Sequence, residues 1–238
     1  MGTPKKLVRK NIYNHKYFLD RDKGQQCVAF SVAKFLKDQK INKVVDVGCG
    51  SGWLVKYLID SGFKTYGCDS SKEAINIAKK KVKPSLITKA CASKLPYKDC
   101  SFDAVLGISI IEHLNQKEVN QFFKESARIL KKNGWLFLVT PNYATPLRIL
   151  MGEKWGGYWD PTHINFYTPW SLKKVLQKNN YFGFKVTFSY DKDIPFDWGF
   201  PPIFFKFPKF IKNILNYLIV STPLYYLRHS FWMAAQRK

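Results

Sequence analysis

Residues 44–53 read VVDVGCGSGW, a short apolar run that breaks into glycines and then resumes in a helical pattern. Glycines at 48, 50 and 52 let the backbone turn tightly and come close to a ligand, because no Cβ stands in the way. A helix that starts just after such a loop presents free N–H groups at its positive end. The dinucleotide fingerprint G-x-G-x-x-G would put its third glycine at Trp53, where an indole crowds the helix–strand packing. The spacing therefore argues against a nicotinamide or flavin dinucleotide. No Gly-Lys-Ser/Thr follows, which argues against a P-loop.

The unit repeats along the chain. Val44–Val47 reads as a buried strand and Gly52–Asp60 as a helix with Leu54, Tyr57 and Leu58 inward. Thr65–Cys68, Leu86–Cys91 and Phe102–Ile108 are the next strands, with helices expected over Ser71–Lys81 and Glu118–Leu130. Lys131–Gly134 should turn the chain into a strand at Trp135–Val139. This alternation predicts a parallel sheet with helices on both faces. After Pro141 comes a loop rich in Gly, Trp, Tyr and Pro, then a helix at Ser171–Gln177 opened by Thr168-Pro169. Phe184–Tyr190 alternates like a strand, and SFWMAAQRK at the end reads as the last one. We read one domain: residues 1–40 as helical decoration, 41–190 as the core, 191–230 as an apolar basic insertion and 231–238 as the final strand.

Two acids flank the loop. Asp46 precedes it, and Asp69 ends the second strand in TYGCDSS. A carboxylate at that strand tip either accepts from both hydroxyls of a ribose or simply caps the helix at Ser71; beside a glycine loop the ribose reading gains weight. These segments resemble the class I S-adenosylmethionine-dependent methyltransferases. VVDVGCGSG matches the family's first motif and GCDSS its second. LPYKDCSFDAVLGISIIEHL and LKKNGWLFLVTPN resemble the segments around its fourth and fifth strands. The resemblance covers roughly residues 40–190. It implies a Rossmann-like, doubly wound α/β fold with seven strands, mostly parallel with a final antiparallel strand. S-adenosyl-L-methionine is the implied cofactor. Gly48, Gly50 and Gly52 would cradle its methionine part, Asp46 would orient its amino group and Asp69 would hold its ribose. Where the family often has an aspartate near the adenine, this chain has Cys91. Adenine contact then falls to the backbone at Ala92, with Ser70, Ser71 and Leu95 beside the ring. Ser109, at the end of the fourth strand, is counted among the cofactor contacts.

Methyl transfer from a sulfonium needs its three reacting atoms held in line, and an alcohol, phenol or carbon acceptor needs a base as well. Among four histidines, His113 follows Glu112 at the carboxyl end of the fourth strand, as a hydrogen-bonding anchor or a base. His163 lies in YWDPTHINFYTP, the loop expected to cover the site. It reads as a base or substrate contact among Trp159, Asp160 and Tyr167, or as a buried histidine bonded to Asp160. His15 and His229 receive no role. The loop resembles one in quinone O-methyltransferases and in enzymes acting on lipid-linked or sugar substrates. Those quinone enzymes carry E-x-x-E-H, and Ser109 here replaces the first carboxylate, so we expect no metal.

The net charge of +22 asks for an anionic partner or marks solvated lysines; the 46% hydrophobic and 16% aromatic content excludes a disordered basic tail. Phenylalanines interleaved with Lys206, Lys209 and Lys212, followed by an apolar stretch to Leu227, suit a segment lying on an anionic membrane, with 201–227 as a lid or dimer face otherwise. Its uninterrupted apolar part is too short to span a bilayer. Five cysteines without CxxC spacing, and no apolar signal segment, suggest a cytoplasmic protein, peripheral to the membrane at most. We expect O-methylation of a hydrophobic small-molecule, quinone-like or lipid- or sugar-linked acceptor. The rivals are an RNA methyltransferase using the basic surface, which lacks the Asn/Asp-Pro-Pro-aromatic motif of base-methylating enzymes, and a non-catalytic cofactor-binding protein.

Overall fold

The computed structural model describes residues 17–18, 26–187, 206–221 and 228–238. Expectations for residues 1–16, His15 among them, 19–25, 188–205 and 222–227 lie outside the described residues. Seven strands form one sheet in the order β3-β2-β1-β4-β5-β7-β6. β1 (Lys43–Val47), β2 (Lys64–Asp69), β3 (Ile87–Lys89), β4 (Phe102–Ile108) and β5 (Leu130–Pro141) run parallel. β7 (Ser230–Arg237) inserts antiparallel between β5 and β6 (Tyr181–Thr187). The order reverses direction at β1 and β4, and the crevice above that point is where open α/β sheets take ligands.

Strands buried on both faces read as continuous apolar runs, and alternate residues serve opposite cores. Val45, Leu136, Leu138 and Met233 face α4 (Gln116–Ile129) and α7 (Pro169–Lys178), between which the chain forms the short α5 (Leu147–Met151) and α6 (Gly156–Trp159). Val44, Trp135, Phe137 and Trp232 face α1 (Gln26–Asp38) and α2 (Trp53–Asp60). The inward residues of α2 are Leu54, Val55 and Leu58. Tyr57 is half-buried, packs against the same core as Leu54 and Leu58 and stacks on Trp53 at 5.6 Å, while Val55 is buried on the other side, against Ile75 and Ala78.

Element ends follow local chemistry. Ser71 caps α3 (Lys72–Lys81) by accepting from the Ala74 N–H. Asn115 and Glu118 form a reciprocal capping box, so α4 starts at Gln116, earlier than expected. Thr168 caps α7 with Pro169 in its first turn. β3 is shorter than expected, because Pro84–Leu86 make a 3-10 turn before it and the chain leaves the sheet after Lys89. β5 begins at Leu130 instead of after the expected turn. Its pairing with β4 skips from Leu130 to Trp135, and the intervening residues bulge around Asn133 at φ 60. β6 starts at Tyr181, not Phe184, and bulges at Gly183. Among the described residues no helix is long and apolar enough to cross a membrane.

Phe122 on α4 is fully buried in the larger core, whereas Phe182 on β6 is exposed. Phe122→Ala should lower the unfolding free energy by about 3–5 kcal/mol in urea denaturation, and Phe182→Ala by no more than about 0.5 kcal/mol.

Candidate active site

The glycine loop leaves β1 in a left-handed conformation. Gly48, Gly50 and Gly52 have φ of 79°, 53° and 75°, a region that costs any residue with a Cβ. A Cβ on Gly52 would stand 2.8 Å from Cβ of Ala78 on α3, and one on Gly48 would stand 2.9 Å from Cδ1 of Ile110. The backbone therefore approaches both neighbours as closely as glycine allows. The loop is pinned to β2, since Gly48 and Cys49 N–H both donate to the Cys68 carbonyl, at 2.8 and 3.0 Å.

Asp69 ties the loop to the next helix. Its Oδ2 accepts from Gly50 N–H at 3.0 Å and its Oδ1 from Ser71 N–H at 2.8 Å. Burial pushes its carboxyl above the ordinary range, against the pull of the N–H groups of Ser71, Gly50 and Ser70. Asp46 is 3% exposed, and its Oδ1 has no hydrogen-bond partner among the described residues. Burial, and then the charge of Asp69, pushes the Asp46 carboxyl up to about 7. A buried carboxylate oxygen left without a donor fits a site shaped for a cationic or N–H-bearing ligand. These features suit the cofactor implied by the sequence: a loop with glycine at every second residue, one carboxyl at the β2 tip and one beneath the loop.

Ser70 is exposed at the tip of β2, and Ala92 is half-buried where the chain leaves β3. Leu95 is 3% exposed and packs into the larger core, so its side chain does not stand open over the rim. Its backbone is clamped instead. Leu95 N–H donates to Glu125 Oε2 at 2.8 Å, and Arg128 donates to the carbonyls of Leu95 and Tyr97 at 2.9 and 2.8 Å. Ser109 ends β4 in a left-handed turn, φ 50°, with its N–H on the Val139 carbonyl at 2.9 Å.

The turn after Ser109 carries the second group. Glu112 is buried and its Oε2 accepts from Thr140 Oγ1 at 3.1 Å. Its carbonyl accepts from Ile164 and Asn165 N–H at 2.8 and 3.1 Å, which folds the loop after β5 back over β4. That brings the His113 and His163 rings to 4.7 Å at 62°. His163 Nδ1 lies 2.8 Å from the Gly157 carbonyl, which only accepts, so this nitrogen carries the proton. Its Nε2 is 3.9 Å from Asp160 Oδ2. His113 Nδ1 lies 2.8 Å from Thr162 Oγ1, and that hydroxyl donates to Asp160 Oδ1 at 2.5 Å. Burial acts to raise the Asp160 carboxyl, but its bonds from Thr162 and the nearby imidazoles outweigh burial and hold it below the ordinary range. One ligand atom each from Glu112, His113 and His163 lie within 4.8 Å of one another, a spacing that suits a single cation, where sequence reasoning expects no metal.

The two groups meet through Tyr17 and Phe18. The Tyr17 hydroxyl donates to Asp160 Oδ2 at 3.4 Å, and a Cβ on Gly50 would touch the Phe18 ring at 3.5 Å. Tyr167 is buried beside Glu112, and burial, then the Glu112 charge, pushes its hydroxyl up to about 12. The side chain of Trp159 lies outside what the structure describes. Around the mouth, Tyr143 packs on Phe166 at 5.4 Å, and Phe166 and Tyr158 are partly exposed. Sequence reasoning misses Thr140, Thr162 and Tyr17. Thr162 had a faint signal in the Asp-x-Thr spacing, since Asp160 Oδ1 also accepts the Thr162 N–H at 2.9 Å, as in an Asx turn. It also gives no role to His229, whose ring lies 5.8 Å from that of Trp155 and whose imidazole is pushed down to about 4 by burial and then by His163.

The sequence model of a family described as a methyltransferase domain matches residues 19–186. A ubiquinone biosynthesis O-methyltransferase of Pelagibacter ubique is 32% identical over 160 residues, 63% of this chain and 66% of that protein. A probable tRNA methyltransferase 9B of Mus musculus is 37% identical over 111 residues, 45% of this chain and 24% of that protein. The chain thus spans no more than 66% of the length of these curated relatives. A solved SAM-dependent methyltransferase from Archaeoglobus fulgidus superposes with a TM-score of 0.63 at 19% identity, over 93% of this chain and 99% of that one. At that identity the likeness speaks to the fold.

Below about pH 7 the Asp46 carboxyl holds its proton in the ligand-free protein, yet a cationic amino group calls for the carboxylate. Affinity for S-adenosylmethionine should therefore rise with pH, by up to about tenfold per unit, and level off above about pH 7. Calorimetry in buffers of different ionisation enthalpy should detect proton release below that pH. Asp46→Asn should flatten the profile; a flat profile in the wild type contradicts the assignment.

Proposed function

The chain belongs to the class I S-adenosylmethionine-dependent methyltransferases, and from its site we propose that it methylates an oxygen on a hydrophobic acceptor, quinone-like or linked to a lipid or sugar. The observation that carries the proposal is the pair of imidazoles, 4.7 Å apart, at the carboxyl edge of the sheet and tied to the glycine loop through Tyr17 and Phe18. A sulfonium already bears a good leaving group, so the cofactor supplies an activated methyl. What the chain adds is orientation and a proton acceptor. Gly48–Gly52, Asp46 and Asp69 bind and orient the donor. The acceptor hydroxyl lies against His113 or His163, and one imidazole takes its proton as the O–CH3 bond forms. A sulfonium held there would supply the methyl to that oxygen and keep the electron pair of its S–CH3 bond on sulfur.

The rim supports an apolar acceptor. Ile149, Leu150, Ile164 and Phe166 are exposed on the segment after β5, more large apolar side chains than a solvated loop needs. On α8 (Lys209–Ser221), Phe210 and Tyr217 are 64% and 70% exposed, and Ile214 and Leu218 share their helical spacing. Lys206 and Lys209 are exposed beside them. An apolar helix face flanked by lysines suits an anionic membrane surface, and a cytoplasmic enzyme that rests there meets lipid-linked acceptors. The free cysteines Cys49, Cys68, Cys91 and Cys100 agree with a reducing compartment. A second reading, methylation of RNA, draws on the +22 charge and on the relatives named as tRNA methyltransferases.

Methyl-labelled cofactor incubated with the protein and fractionated lipid, RNA and protein extracts separates these readings. Label should enter the organic-soluble fraction, and His113→Gln should slow its transfer by about 10²–10⁴-fold. Label confined to RNA would overturn the hydrophobic acceptor in favour of the second reading.

A further inference from the structure

The contact between Thr162 and His113 has a direction. A threonine hydroxyl has one proton to give. Asp160 accepts the Thr162 N–H on Oδ1 at 2.9 Å and the Tyr17 hydroxyl on Oδ2 at 3.4 Å, so both its oxygens act as acceptors, as those of a carboxylate do. The 2.5 Å contact between Thr162 Oγ1 and Asp160 Oδ1 therefore takes the hydroxyl proton. Towards His113 the same oxygen has only lone pairs left, so at 2.8 Å the imidazole must donate from Nδ1. A neutral imidazole that carries its proton on Nδ1 has its lone pair on Nε2.

We propose that Thr162 is a positioning residue: its hydroxyl relays the demand of Asp160 to His113 and locks that histidine in the tautomer whose Nε2 can accept a proton from the methyl acceptor. The inference rests on the reading of His113 as the base. In the converse arrangement, with no carboxylate behind it, the hydroxyl would be able to donate to Nδ1, and Nε2 would then carry the proton and be closed to catalysis. When His113 becomes cationic, its Nδ1–H still points at the oxygen that Asp160 polarises, so the relay also stabilises the charge formed during transfer. The relay is built rigidly. Asp160 and Thr162 are both buried, the Thr162 N–H donates to the same Asp160 Oδ1 at 2.9 Å, and Tyr17 holds the other oxygen at 3.4 Å. His163 faces the other oxygen of Asp160, with Nε2 3.9 Å from Oδ2, while its own Nδ1 is engaged by the Gly157 carbonyl.

The test reads the tautomer directly. Long-range 1H–15N spectra of the whole protein carrying 15N-histidine, with His113 assigned by His113→Gln, should show a proton on Nδ1 in the wild type. Thr162→Ser, which keeps the hydroxyl, should preserve that pattern. Thr162→Val should shift His113 towards the Nε2-protonated form and slow methyl transfer to a lipophilic phenol by about tenfold or more, with KM for the cofactor unchanged. Thr162→Ala serves if the valine variant does not fold. A wild-type His113 protonated on Nε2 when neutral, or a Val and Ala pattern identical to wild type, overturns the relay. A tautomer that changes while transfer continues undiminished upholds the lock and instead removes His113 from the role of base.

Discussion

Everything at the ligand edge of this protein depends on one backbone constraint, the left-handed run at Gly48, Gly50 and Gly52. A turn with positive φ at three alternate residues directs the loop N–H groups towards β2, where Cys68 and Asp69 receive them. It also brings α2 against α3 at a distance only glycine permits, with Ala78 beside Gly52. The position of Asp69, the burial of Asp46 and the start of α2 follow from that turn. A side chain at Gly52 would have to push α3 away and carry the strain of a left-handed residue at the same time.

The same turn explains why Asp46 has unusual chemistry. The carboxyl lies one residue before the end of β1, beneath a loop that offers its N–H groups to Asp69 and to the Cys68 carbonyl. Burial, and then the charge of Asp69, pushes it up to about 7, and one of its oxygens has no hydrogen-bond partner among the described residues. A cationic group settling there would relieve both problems. The histidine group works in the opposite sense, because Asp160 is supplied with donors and stays ionised. One edge of one sheet thus holds a carboxyl short of partners and a carboxylate rich in them, which is how neighbouring acids come to play different parts.

Much of this is legible in the residues, and the reasons differ by element. The strands and capped helices are readable because apolar runs, Ser71, Asn115 and Thr168 act locally. The seven-stranded, mostly parallel sheet and the cofactor follow from four short motifs in order. The failures are non-local. Leu95 is read beside the adenine ring from the resemblance, but its side chain is buried in the larger core, and Glu125 and Arg128, about thirty residues on, hold its backbone. Val55, not read as inward, is fully buried against Ile75 and Ala78 of the next helix, a contact that the pattern of its own helix does not announce. The start of β5 is hidden by a lysine-rich bulge whose pairing with β4 no local pattern announces. Thr162 and Thr140 escape notice because a threonine becomes informative only once a distant histidine or glutamate lies against it. The pairing of His113 with His163 is of the same kind, since fifty residues separate them and bonds from the later segment to the Glu112 carbonyl and to His113 close the gap.

The central claim is that the glycine loop and Asp69 together form the cofactor site, and calorimetry with S-adenosylhomocysteine at pH 8 tests it most directly. The wild type should bind one equivalent, and Asp69→Ala should weaken binding by about 10–100-fold, the loss expected when a charged hydrogen-bond acceptor leaves two ligand hydroxyls unpaired. Absence of binding by the folded wild type, or equal affinity in the variant, would contradict it.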